Sequence, residues 1–181
     1  RQATHDYFAL GYVPAPASIY EGVYKLPPAH CLVARGGEVS LHRYWQPEFG
    51  PKWTDDEPTL QRRLLEEIED AVRVRLVSDV PFGAFLSGGT DSSVVAALMA
   101  RNMSQPVKTF SIGFREAEFN ELPDARAVAR HIGADHHEFV VEADAVSMMN
   151  DLVWYFDEPF GDSSSIPTYL VARMAAGHVK M

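Results

Sequence analysis

The chain reads as an α/β protein, a parallel sheet with helices on both faces preceded by a small β-rich segment. Three observations carry that reading. From Thr59 onward, apolar runs alternate with helical patterns, and such alternation builds a parallel sheet covered on both sides. The first fifty residues instead break into short extended pieces at Gly11, Pro14, Pro16, Gly22, Pro27, Pro28, Gly36 and Gly37. Between the two lies Trp45 to Pro58, rich in proline, glycine and charge, which marks a linker. Residues 1–57 and 58–181 are accordingly expected to be separate parts.

Each element has its own signal. Cys31–Arg35 and Val39–Tyr44 flank the Gly36-Gly37 pair and predict a hairpin. Leu60, Leu64, Ile68 and Val72 recur four apart, which predicts an amphipathic helix to about Val77. The apolar run Val80–Leu86 predicts a strand, Ser92–Met103 a helix and Val107–Phe114 a second strand. Leu122–Ile132 is helical in pattern, with Asn120 placed to cap it and Gly133 to stop it. His136–Val141 predicts a third strand, and helices over Ala143–Phe156 and Thr168–Ala176 enclose a loop. His178 to Met181 reads as the beginning of another strand, so the domain is expected to be cut in its middle.

The most informative stretch is Ser87-Gly88-Gly89-Thr90-Asp91-Ser92-Ser93, at the strand-to-helix junction. Such a turn aims free backbone N–H groups and the positive end of a helix dipole at one spot. Glycines allow an anion close to the backbone, and hydroxyls surround it, which predicts a phosphate cradle. It is not the common nucleotide loop, because no Gly-Lys pair occurs in the chain. Nor is it a nucleophile elbow, which needs glycine where Phe85 stands.

With 181 residues, 46% of them hydrophobic, the chain can bury one sizeable core. No apolar stretch approaches the ~20 residues of a membrane span, and the start does not read as a signal peptide. A net charge of −9 argues against an extended nucleic-acid surface. The single cysteine, Cys31, excludes an internal disulfide framework and fits a reducing cytoplasm. On a strand it reads as a small core residue. His136 and His137 resemble a metal pair, but neighbours on a strand face opposite ways, so they are expected to be structural.

These residues resemble the glutamine-dependent asparagine synthetases of the bacterial class B type, and especially the asparagine synthetase-like amidotransferases of polysaccharide gene clusters. The cradle is similar to the family's pyrophosphate loop, Ser-Gly-Gly-x-Asp-Ser-Ser. The likeness continues through Thr109–Phe114, Phe119-Asn120-Glu121, Ala125–His131, His136-His137-Glu138, Asp157–Ser164 and Ile166–Leu170. Ala9–Pro14 and Lys25–His30 resemble the end of the family's glutaminase domain. The family's amino-terminal cysteine has no counterpart at Arg1, and Cys31 does not match it. Its later Ser-Gly-x-Gly-x-Asp-Glu block is expected just beyond Met181.

The resemblance implies a Rossmann-like, adenine nucleotide alpha hydrolase-like fold. The implied reaction is ATP-dependent conversion of aspartate to asparagine through β-aspartyl-AMP, with ammonia derived from glutamine. Ser87, Gly88, Gly89, Ser92 and Ser93 would hold pyrophosphate, Asp91 would ligate Mg²⁺, and Leu86 and Ile112 would contact the adenine. Asp157 and Glu158 lie in a loop, and Glu158 is the candidate for the substrate amine or general base. Residues 1–181 alone are expected to be inactive, and an open sheet edge would invite pairing into a homodimer. Two alternatives stay open: a non-catalytic nucleotide-binding piece, or an AMP-forming amidotransferase for a different carboxylate.

Overall fold

The computed structural model describes residues 1–115, 120–141 and 145–180. Phe119, Ala143 and Met181, which entered the expectations above, lie outside the described residues. Contacts divide the chain into two compact units, Arg1–Thr54 with Val146–Ser163 and Asp55–Ala145 with Ser164–Met181.

The first unit opens with a helix the sequence did not signal, α1 (Gln2–Leu10), where extended chain was expected. None of its residues is buried, so it has no apolar stripe to betray it. Its end is legible, since Gly11 takes φ 80° and its N–H bonds the Tyr7 carbonyl. The hairpin is present as β1 (His30–Arg35) and β2 (Glu38–Arg43). Arg35 pairs with Glu38, and Gly36 and Gly37 both have positive φ, which a two-residue turn between right-twisted strands requires. Cys31 is exposed rather than a core residue.

In the second unit α2 (Glu57–Arg73) begins at Asp56, whose carboxylate accepts the Thr59 N–H at 3.3 Å. Pro58 sits in the first turn, where its missing N–H costs nothing. The α-helix stops before Val77, and a 3₁₀ turn, Val74–Leu76, completes it. Only the lower half of the apolar stripe is used. Val72, with Ile68 and Leu76, packs on Leu98, Met99 and Val107, while Leu64 and Leu65 stay exposed.

The sheet is parallel, in the order β3 (Ala84–Phe85), β4 (Lys108–Gly113), β5 (Asp135–Val140). The predicted strand Val80–Leu86 shrinks to two paired residues. Pro81 has no N–H to give a ladder, and Val80 is exposed. Helices cover both faces of the sheet. Leu86 packs with Ala96 of α3 (Thr90–Asn102) and with Ala125 and Ala129 of α4 (Leu122–Ile132). Phe110 packs with Val171 and Ala175 of α6 (Ser165–Ala175) on the other face. Gly133, at φ 66°, ends α4 as expected, but the N-cap is Glu121 rather than Asn120, whose side chain still accepts the Leu122 N–H at 3.2 Å. The fifth helix is α5 (Ala145–Phe156). The strand expected from His178 is not formed over the described residues. There the amides of His178 and Val179 bond the Ala175 carbonyl, and Lys180 bonds Pro81.

The two histidines part as the strand period requires. His136 meets Thr109, with Nδ1 to Oγ1 at 2.8 Å, whereas His137 stacks on Phe110 with ring centroids 5.3 Å apart. Burial pushes the His136 pKa down from its ordinary value of 6.5, outweighing Glu138, whose carboxylate lies 3.4 Å from Nε2. Glu138 is itself held below its ordinary 4.5, chiefly by the Arg126 guanidinium, which donates at 2.8 and 2.5 Å. Both folded-state values are depressed, so both contributions are present above the unfolded values and are lost on acidification. The melting temperature should therefore fall first below about pH 6.5, and again below about 4.5. His136→Gln should remove the upper phase in a pH series of thermal melts. A melting temperature flat from pH 7 to 5 would contradict a neutral buried imidazole.

Candidate nucleotide site

The cradle sits at the carboxyl ends of the parallel strands, where open α/β sheets bind ligands. Leu86 N–H bonds the Phe110 carbonyl at 2.9 Å, and the chain then leaves the ladder. Gly88 takes φ 83°, and a Cβ there would lie 2.6 Å from Asp124 Cβ and from the Ala125 nitrogen. The first turn of α4 therefore occupies the space beside Gly88. Gly89 differs, with an ordinary φ of −67° as the N-cap of α3. A Cβ on Gly89 would meet only the Ser87 hydroxyl, at 3.3 Å.

Without a side chain at Gly89, no cap bond satisfies the first-turn amides of α3. The hydroxyls beside them form a small web. Ser87 and Ser92 hydroxyls are 2.9 Å apart, Ser92 donates to the Gly89 carbonyl at 3.2 Å, and the Gly89 N–H donates to Ser87 at 3.2 Å. The Ser93 hydroxyl is buried and has no hydrogen-bond partner among the described residues. Asp91 is exposed on the first turn of α3.

A cleft of ≈ 190 Å³ opens at this junction. It brings Leu86, Ser87, Ser92 and Ile112 together with Ser111 and Glu121. Gly88, Gly89, Asp91 and Ser93 do not line it. The buried Ser111 hydroxyl donates to the Leu86 carbonyl and fixes β3 to β4 at the cleft wall. Glu121 follows the described end of β4 and opens α4, and that strand-end placement is the signal that could have singled it out. A larger groove of ≈ 530 Å³ runs past Ile68, Val72, Phe82 and Met99. Glu67 and Arg75 are its charged lining residues, and it offers no hydroxyl and no uncapped helix end.

Glu158 belongs to the first unit, and each of its carboxylate oxygens has a partner there. One carboxylate oxygen accepts the Ile19 N–H at 3.1 Å, and the other pairs with the Lys25 ammonium. Lys25 also donates to the Val13 carbonyl at 2.5 Å. Beside it the Tyr20 hydroxyl donates to the Asp157 carbonyl at 3.0 Å, and the Gly161 N–H bonds Gly11 at 2.6 Å. Gly11 and Gly161 approach closely enough that a Cβ on Gly161 would sit 3.2 Å from the Gly11 backbone. Residues 157–161 are thus clasped by residues 11–25. Sequence periodicity has no way to announce Lys25 as the partner of a residue over a hundred positions away.

The family model for asparagine synthase matches residues 63–181, and the chain belongs to that family. It is 38% identical over 185 residues to a putative glutamine-hydrolysing asparagine synthetase 2 of Methanocaldococcus jannaschii, covering 97% of this chain and 34% of that protein. It is 34% identical over 183 residues to asparagine synthetase 1 of Bacillus subtilis, covering 99% of this chain and 28% of that protein. A third relative, named amidase chry2, from Gibberella zeae, is 33% identical across 86% of this chain and 26% of its own length. The chain spans about a third or less of the length of these relatives. No described helix is long and apolar enough to cross a membrane.

Proposed function

We propose that residues 58–181 form the first part of an ATP-pyrophosphatase domain that makes asparagine, and that residues 1–57 end a glutaminase-type domain. One observation carries the proposal. The amides at the start of α3 are left uncapped beside the Ser87–Ser92 hydroxyl web, at the carboxyl ends of a parallel sheet. Such a terminus favours an anion by dipole and by direct donors together.

The aspartate side-chain carboxylate attacks the α-phosphorus of ATP. The α–β bridging bond breaks, and pyrophosphate leaves with the developing charge. Donors aimed at that charge lower the barrier because they bind the leaving group better than the ground state. Ser87, Ser92, Ser93 and the amides from Gly88 and Gly89 onward would supply them, while Leu86 and Ile112 offer apolar contact to the base. Ammonia derived from glutamine then attacks the acyl carbon of β-aspartyl-AMP, the bond to AMP breaks, and the nitrogen sheds its proton. Among the described residues no group of three acidic, histidine or cysteine side chains could hold a metal. Asp91 would hold Mg²⁺, since a carboxylate oxygen is a hard ligand suited to this ion. Bound there, Mg²⁺ neutralises charge on the phosphates. Glu158, with one partner on each oxygen, would serve the substrate amine or a proton transfer through its remaining lone pairs.

The full-length protein given ATP, aspartate and ammonia should form AMP, pyrophosphate and asparagine in equal amounts. ADP and free phosphate in their place would overturn the assignment. A relative named an amidase shows that not every match carries the asparagine synthetase name, and a second reading is an amidotransferase for another carboxylate. AMP release that ignores aspartate but responds to other carboxylates would select it.

A further inference from the structure

We propose that Glu121 binds the ribose diol of the nucleotide and makes the site selective for ribonucleotides. The inference rests on the phosphate reading of the cradle and adds the part of the ligand that reading leaves unplaced. Among the described residues Glu121 is the one charged side chain lining the cleft shared with Leu86, Ser87, Ser92 and Ile112. It is exposed at the rim, and among the described residues its carboxylate has no ion pair or hydrogen bond. Its backbone carbonyl, by contrast, is tied into α4 by the Ala125 N–H at 3.1 Å, so the side chain leaves a fixed point.

A carboxylate only accepts hydrogen bonds and repels phosphate. In ATP the groups that can donate are the two ribose hydroxyls and the amine of the base. The cleft walls decide between them. Leu86 and Phe110 are 1% exposed and Val171 is 8% exposed, which gives the flat base an apolar bed. The rim, where Glu121 stands, suits the sugar, which keeps part of its hydration. Two carboxylate oxygens also match two vicinal hydroxyls, and charge-assisted bonds of this kind are the strong ones. Ile112, which leads from the cleft wall toward the strand end, sits between the two regions in the chain.

The test is calorimetric titration of the full-length protein with Mg-ATP, Mg-2′-deoxy-ATP and Mg-3′-deoxy-ATP, repeated with Glu121→Ala and Glu121→Gln. The wild type should prefer ATP to either deoxy analogue by about 10- to 100-fold, the worth of a hydrogen bond to a charged group. Glu121→Ala should erase that preference and bind all three more weakly than the wild type binds either deoxy form, since each of those keeps one hydroxyl on the carboxylate. Glu121→Gln should lose part of it, and it carries the test if the alanine variant does not fold. A preference unchanged in the variants would overturn the assignment. So would a wild type that binds deoxy-ATP as well as ATP, or a loss that follows replacement of the base amine, tested with inosine triphosphate. A wild type that binds no nucleotide would bring down the phosphate reading itself, a result distinct from all of these.

Discussion

Gly88→Ala should destabilise the second unit by about 3 kcal/mol or more. Two costs add. Holding a non-glycine residue in the left-handed region costs roughly 1–2 kcal/mol. Forcing a Cβ to 2.6 Å from Asp124 and Ala125 overpacks the cradle against α4, which typically costs another 1–3 kcal/mol. The neighbouring Gly89→Ala should behave differently. Its φ is ordinary and its Cβ meets only a hydroxyl, so stability should change by less than about 1 kcal/mol. Denaturant melts of the two variants check the contrast. Equal destabilisation would mean that α4 yields to the extra methyl.

Asp91→Asn should give the largest effect on activity. If Asp91 carries Mg²⁺ against the phosphates, pyrophosphate release by the full-length protein should drop by about 100-fold or more, the scale seen when one preorganised electrostatic group is removed. The fold should hardly register the change. Asp91 is exposed, and losing its charge at a helix N-terminus costs only about 0.3–1 kcal/mol. Raising the Mg²⁺ concentration should recover part of the rate in the variant. A rate within twofold of wild type would remove Asp91 from the metal's surroundings.

The sheet and its helices were legible because their signals are local and periodic. Leu122–Ile132 carries an apolar stripe and a glycine stop, and its predicted and observed bounds coincide. Elements without such a stripe were lost or misjudged. Helix α1 buries nothing, so extended chain was read in its place. β3 looked seven residues long because the apolar run reads as one strand although Pro81 within it has no N–H for a ladder. The cradle was visible as a motif, yet its chemistry divides in a way no motif states. Gly88 meets α4, whereas Gly89 leaves α3 uncapped. Glu121 and Lys25 were missed for one reason, that their significance lies in what distant residues bring beside them.

The clasp around Glu158 bears on how such a protein could be inherited or recombined. The family match begins at residue 63, yet Val146–Ser163, deep inside it, belongs with Arg1–Thr54. A gene rearrangement that exchanged everything before residue 63 would separate Glu158 from Lys25 and Gly161 from Gly11. The incoming sequence would have to supply a cation and a close-fitting glycine of its own. Lineages that shuffle the upstream part should therefore change residues 157–161 in step with it, the two stretches being expected to descend together despite the distance between them in the chain.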